Sequence, residues 1–313
     1  MSPFLPDETH VAQVRLRTAN LERLLVFYRS VLGFKAVESS GSTTSLSATG
    51  QPPALLVLSE EPDAAPRPLR ATGLYHFALR YPSRAEFARA YARLDRLRYP
   101  VEGASDHVVS EAIYLSDPDN NGVELYADRP RAQWLWRNGQ VAMTTEGLDL
   151  DGLLASVEVA SELADPPAQL DVGHVHLHVA DLAKAERFYR DFIGLSVTQR
   201  SIPGALFLAA GGYHHHVGVN TWAGSAPPPP KSVGLISYRL AVPVAEILYC
   251  LKHRAPLLGY EARTESLSDG SNLLQIRDPN GNWLEIQSPE KDPAWQLQRA
   301  KPAGEMQPAW SKR

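Results

Sequence analysis

His76, Glu124 and His174 are the residues of this chain best suited to chemistry: two imidazoles and one carboxylate on one side of a metal ion leave its other coordination positions open. Open positions suit a non-haem iron(II) that must take a substrate and dioxygen together, and manganese(II) or zinc would accept similar ligands. Any one of the three alone is most often a satisfied core or surface group, so the set of three carries the metal reading. A second group is the run Gly211-Gly212-Tyr213-His214-His215-His216. Imidazole titrates near neutrality, which makes His216 or His215 a candidate acid/base, and strict strand alternation would put His214 and His216 on one face and His215 on the other. His107 and Tyr114 are weaker candidates for the same work.

An internal repeat singles these positions out. Val14 to Leu21, Phe27-Tyr28-Arg29 and Gly33 recur as Val175 to Leu182, Phe188-Tyr189-Arg190 and Gly194, and Asp117-Pro118-Asp119 with Asn121 recurs as Asp278-Pro279-Asn280 with Asn282. The offset is 161 residues throughout. At that offset His174 corresponds to Gln13, His76 to Ser237, His216 to Leu55, His107 to Ser268, Tyr114 to Gln275 and Glu124 to Glu285. One set is chemically rich and the other largely blank.

The elements that must position these residues follow from periodicity. Each half divides again, because an alternating strand followed by an amphipathic helix opens near residues 11, 73, 172 and 233, each followed by further short strands. Val11 to Thr18 alternates as a strand, Leu21 to Leu32 has helical spacing with Asn20 as N-cap, and Gly33 and Gly194 fall where a helix end needs positive φ. Asn121-Gly122 is a turn pair that returns Val123 to Tyr126 as a strand. The expected fold is α+β, four βαβββ modules in curved, barrel-like mixed sheets. Alternate strand residues lie about 7 Å apart, so one ion cannot take His174, His176 and His178 together. His174 is preferred because it holds the place in its module that His76 holds in the neighbouring one. Along the chain, residues 8–130 carry modules one and two, 131–171 form a connector with a short helix around Leu150 to Val159, 172–288 carry modules three and four, and 289–313 form a tail.

Composition narrows the partners. A net charge of −4 without long basic runs leaves no footprint for nucleic acid or an anionic membrane, which makes small-molecule chemistry the default. The one cysteine, Cys250, lies in the apolar stretch Ile247 to Leu251 and is expected to be a packed core thiol. The N-terminus lacks the pattern of a secretion signal, no apolar run reaches the roughly 18 residues of a membrane span, and a cytoplasmic enzyme is expected.

Several segments resemble the vicinal-oxygen-chelate superfamily of glyoxalases, bleomycin-resistance proteins and extradiol dioxygenases, and within it the Bacillus type of catechol 2,3-dioxygenase. They are Gly73-Leu74-Tyr75-His76-Phe77-Ala78, Tyr114 to Asp119, Glu124 to Pro130, Gly173 to Val179 and Gly211 to His216, and the resemblance runs over roughly residues 8 to 288. It implies two tandem glyoxalase-like domains, with His174, His76 and Glu124 as ligands of Fe(II), or alternatively Mn(II). It also implies His216 as acid/base, Tyr114 and His107 near the substrate, and His176 and His215 lining its pocket. The implied reaction opens a catechol-type diol beside its hydroxyls with dioxygen. The chain departs from the well-known extradiol enzymes of the superfamily, which take their ligands from modules three and four, because Ser237 replaces the histidine of module four. Modules two and three must then supply the site, either within one chain, as in tandem glyoxalases, or across a homodimer. The rival readings are a glyoxalase-like metal-dependent isomerase or transferase, and a ligand-sequestering protein without catalysis.

Overall fold

The computed structural model describes residues 5–157, 163–267 and 270–288; the expected tail and Val159 lie outside them. Every module has the expected order. Module one runs β1 (His10–Thr18), α1 (Leu21–Val26), β2 (Lys35–Ser40), β3 (Thr43–Ser47) and β4 (Leu56–Glu60). Module two runs β5 (Gly73–Tyr81), α2 (Arg84–Leu97), β6 (Gly103–Asp106), β7 (Ser110–Ser116) and β8 (Gly122–Asp128). The connector holds β9 (Trp136–Arg137), β10 (Gln140–Val141), β11 (Glu146–Gly147) and α3 (Leu150–Ala155). Module three runs β12 (Asp171–His178), α4 (Leu182–Glu186), β13 (Ser196–Gln199), β14 (Ala205–Ala209) and β15 (Val217–Asn220), and module four β16 (Gly234–Ala241), α5 (Glu246–Leu257), β17 (Ala262–Ser266), β18 (Asn272–Arg277) and β19 (Trp283–Ser288).

Local signals explain the boundaries. Asn20 caps α1 by accepting from the Arg23 amide, and Asp181 caps α4 in the same way through Lys184. After Val26 the helix widens by one residue per turn, so the Leu32 amide reaches the Phe27 carbonyl at 3.1 Å. Gly33 (φ 82°) and Gly194 (φ 101°) then end the helical segments in the left-handed region, as expected. The turn before β8 differs in detail: its left-handed residue is Asn120 (φ 59°), while Gly122 already lies in the strand.

The sheets join modules across the two halves of the chain. One has the order β17-β18-β19-β16-β1-β4-β3-β2 and unites modules one and four. The other, β11-β6-β7-β8-β5-β12-β15-β14-β13, unites modules two and three through the antiparallel pair β5 and β12. Modules two and three therefore pair within one chain. A continuous apolar core takes residues from both sheets and their helices, including Leu16, Tyr28, Leu79, Val175, Phe188 and Tyr238.

Helix α5 corrects one expectation. Its buried positions are Leu248, Leu251 and Ala255, one helical stripe, and the phase of that stripe turns Cys250 outward as an exposed thiol. No helix among the described residues is long and apolar enough to cross a membrane.

Candidate metal centre

Strand register brings the three candidate ligands together. Side by side across the second sheet, Tyr114 on β7 pairs with Glu124 on β8, Glu124 with Ala78 on β5, and Ala78 with His174 on β12. Ala78 is small, so Glu124 and His174 meet across it, with His174 Nε2 3.0 Å from Glu124 Oε2. His76 lies two residues before Ala78 on the same face and brings its Nε2 to 3.0 Å from the same oxygen. The ligand atoms of all three lie within 4.8 Å of one another, and all three residues are buried.

Two β-bulges shape this floor. The pairing of β5 with β12 slips between His176 and Leu177, opposite Tyr75, and again between Val172 and His174, at Gly173. The Tyr75 bulge lets its ring pack 4.8 Å from His76 and 5.3 Å from His176. Close strand approach demands glycine: a Cβ on Gly122 would lie 2.2 Å from the Tyr75 carbonyl oxygen, and one on Gly218 2.9 Å from the His176 ring.

The charge states suit a cation. Burial pushes the Glu124 carboxyl up, but the adjoining His174 and His76 outweigh it and hold the group well below the usual carboxylate range. Burial pushes the His174 imidazole down to about 4, so it is neutral near pH 7. A dry carboxylate facing two imidazole nitrogens from one side is a donor set that fits a divalent ion.

The other copy shows what fills such a place when no metal is needed. Gln275, Glu285, Arg239 and Gln13 form the equivalent row in the first sheet. Arg239 stands where Ala78 stands, and its Nε and Nη2 donate to Glu285 Oε2 at 2.9 and 2.7 Å. Ser237 Oγ donates to Glu285 Oε1 at 2.8 Å. The guanidinium thus supplies the positive charge.

Above the candidate ligands opens a cavity of about 460 Å³ lined by His76, Glu124, His174, His107, Tyr114, His176, His214 and His215, among others. Tyr114 and His107 are joined, His107 Nε2 lying 2.7 Å from the tyrosine hydroxyl and Nδ1 2.7 Å from the Thr144 carbonyl. A carbonyl only accepts, so Nδ1 carries the proton, and in the neutral ring Nε2 accepts from Tyr114. Burial and the Glu124 charge raise the Tyr114 hydroxyl well above its usual range, keeping it a donor. His176 is held by Asn220, whose amide nitrogen donates to Nε2 over 3.0 Å.

His216 is not among the cavity residues. Strand β15 begins only at Val217, and Gly211 and Gly212, at φ 60° and 62°, make residues 210–216 a turn in which alternation does not hold. His214 and His215 both face the cavity, whereas the His216 ring stacks on Tyr213 and its Nδ1 accepts from the Ala210 amide at 3.2 Å. The place expected for His216 is taken by His215, whose ring centre is 4.0 Å from that of His174 and whose buried Nε2 has no partner.

Two residues given no role in the sequence reading stand behind His215. His214 Nε2 lies 3.0 Å from Asp128 Oδ1, and its Nδ1 2.8 Å from His215 Nδ1. The carboxylate requires a proton on His214 Nε2, so in the neutral ring Nδ1 accepts from His215 Nδ1 and leaves His215 Nε2 as a free lone pair facing the cavity. The pairing of residues 214 and 128 gave no sequence signal, because the contact depends on the turn. Ala78 did have one, the change to arginine at the 161-residue offset.

The sequence from residue 10 to 125 matches the model of the Glyoxalase/Bleomycin resistance protein/Dioxygenase superfamily. A catechol-2,3-dioxygenase of Bacillus subtilis (strain 168) is 41% identical over 278 residues, 87% of this chain and 95% of that protein. Among solved structures, one from Bacillus subtilis subsp. subtilis str. 168 superposes with a TM-score of 0.63 at 13% identity, covering 92% of this chain and 87% of that one. Glyoxalase I from Zea mays superposes with a TM-score of 0.56 at 13% identity, covering 90% and 92%. These two likenesses bear on the fold.

Proposed function

This chain belongs to the Glyoxalase/Bleomycin resistance protein/Dioxygenase superfamily, and on that premise we propose that it is an extradiol dioxygenase, which opens a catechol-type aromatic diol beside its hydroxyls using Fe(II), or alternatively Mn(II), and dioxygen. The observation that carries the reading is the buried cluster of His76, Glu124 and His174, with ligand atoms within 4.8 Å of one another at the floor of the cavity. The name of the 41% identical relative supports the same reaction class. The single cysteine accords with a reducing, cytoplasmic setting.

In this reading His76, His174 and Glu124 hold the ion from one side. When bound, the ion supplies a Lewis-acidic centre at which the diol oxygens and dioxygen meet. The acid/base role passes from His216 to His215, whose free Nε2 faces the cavity: it takes a proton from a diol hydroxyl and returns it as the ring opens. Tyr114, whose proton is held by His107 Nε2, presents its hydroxyl oxygen to the cavity as an acceptor for a diol O–H. His176 and the Tyr75 ring flank the bound aromatic ring and exclude water from it.

The test is anaerobic loading with Fe(II) and with Mn(II), followed by metal analysis and oxygen uptake on catechol and its alkyl and chloro derivatives. Uptake of one dioxygen per diol with a ring-cleaved product is expected. Full occupancy without uptake on any diol would overturn the assignment.

A further inference from the structure

Resting on the dioxygenase reading, we propose that this cavity takes neutral catechols with small apolar substituents and rejects diols that carry a carboxylate, and that the outer wall formed by Glu102, Ile202 and Trp222 sets this choice.

No lysine or arginine is among the described residues that line the cavity. The nearby guanidinium groups are committed elsewhere: Arg80 to Asp171 and Asp128, Arg129 to Asp106 and Glu111, and Arg67 to the Leu74 and Asn120 carbonyls. The one charged side chain of the outer wall is a carboxylate, Glu102. Two neutral donors there are also in use, since Trp222 Nε1 donates to the Pro203 carbonyl at 3.1 Å and Thr144 Oγ1 to Glu146 at 3.1 Å. The charge of a divalent ion is already matched by Glu124 and the bound diol oxygen, so a further carboxylate on the ring would be desolvated without a partner. Ile202, Phe207 and Trp222 instead offer an apolar wall, and the cavity of about 460 Å³ has the size of a single-ring ligand site.

The experiment measures anaerobic binding of 4-methylcatechol and of 3,4-dihydroxybenzoate to the Fe(II)-loaded protein by calorimetry, alongside oxygen uptake on both. The wild-type protein is expected to prefer 4-methylcatechol by about a hundredfold or more. Glu102→Lys changes an exposed side chain and places a cation at the mouth, and Ile202→Arg places one on the wall; each is expected to narrow the preference about tenfold or more. Equal affinity of the wild-type protein for the two diols overturns the proposal, as does a preference that neither variant narrows. Failure of the dioxygenase reading is a separate result, in which the loaded protein binds and consumes neither diol.

Discussion

Tyr28 donates its hydroxyl to Asp117 Oδ2 over 2.8 Å, tying the first helical segment of module one to the turn that leads into β8. Tyr189 makes the same bond to Asp278 at 2.8 Å. The sheets unite modules one with four and two with three, whereas these buried bonds unite one with two and three with four. Asp117 also accepts from the Asp119 and Asn121 amides and from the Asn121 side chain, which fixes the start of the strand carrying Glu124.

Asp117 gives a pH signature. Burial raises its carboxyl to about 6 despite these hydrogen bonds. A folded value above the unfolded one, near 3.9, means that this group's contribution to stability is fully present below pH 4 and declines as the pH rises towards 6. Asp117→Asn cannot titrate, so its cost relative to wild type should be larger at pH 4 than at pH 7, by on the order of 2 kcal/mol. Urea unfolding of both proteins at the two pH values measures this, and a cost that grows with pH would contradict it.

His215 and His216 should separate cleanly. Replacing a group that moves protons in the reaction typically costs 10²- to 10⁴-fold, so His215→Asn should lose about two orders of magnitude or more of turnover while retaining its metal. His216→Asn keeps an acceptor for the Ala210 amide and should retain most turnover. Burial holds the His216 imidazole at about 3, below the unfolded value near 6.5, so wild type loses stability as the pH falls below 6.5 and the asparagine variant should lose less. Oxygen uptake and unfolding between pH 4 and 7 provide the readouts.

Ala78→Arg copies the first sheet into the second. The new guanidinium should engage Glu124 as Arg239 engages Glu285, so metal content falls close to zero while the circular dichroism stays native. A variant that still bound a full equivalent of metal would show that the gap over Ala78 is not what admits the ion.

Gly122→Ala tests the strand approach. Its Cβ would meet the Tyr75 carbonyl at 2.2 Å and the His76 Cβ at 2.9 Å, both on β5. Overpacking of this kind costs about 1–3 kcal/mol, and metal affinity should fall with it as His76 moves. Thermal unfolding and metal titration together check the pair of effects.

Much of this architecture could be read from the chain. The 161-residue offset gave two halves, periodicity divided each into two modules, and comparison across the offset isolated His76 and His174, which the sheet register brings against Glu124. The pairing of the modules could not be read, because a connector of some forty residues permits more than one arrangement. Period-two reasoning failed at residues 213–216, where the backbone is a turn bent by two glycines in the left-handed region, so it could not choose between His215 and His216, and the family resemblance pointed to His216. Nor could alternation have placed Tyr75, since a bulge depends on the opposing strand. The contrast between Ala78 and Arg239 was visible all along, but the informative residue is the one without chemistry of its own.

On the proposed metal reading, Arg239 matters when metal is scarce. Because Glu285 carries a covalently supplied counter-ion, the sheet of modules one and four should be indifferent to chelators, and loss of the proposed metal should be felt where Glu124 faces two imidazoles. Amide exchange in the metal-free protein should therefore quicken along β5, β8 and β12 and stay slow along β1, β16 and β19, leaving half the molecule as a standing template on which the other half awaits its ion.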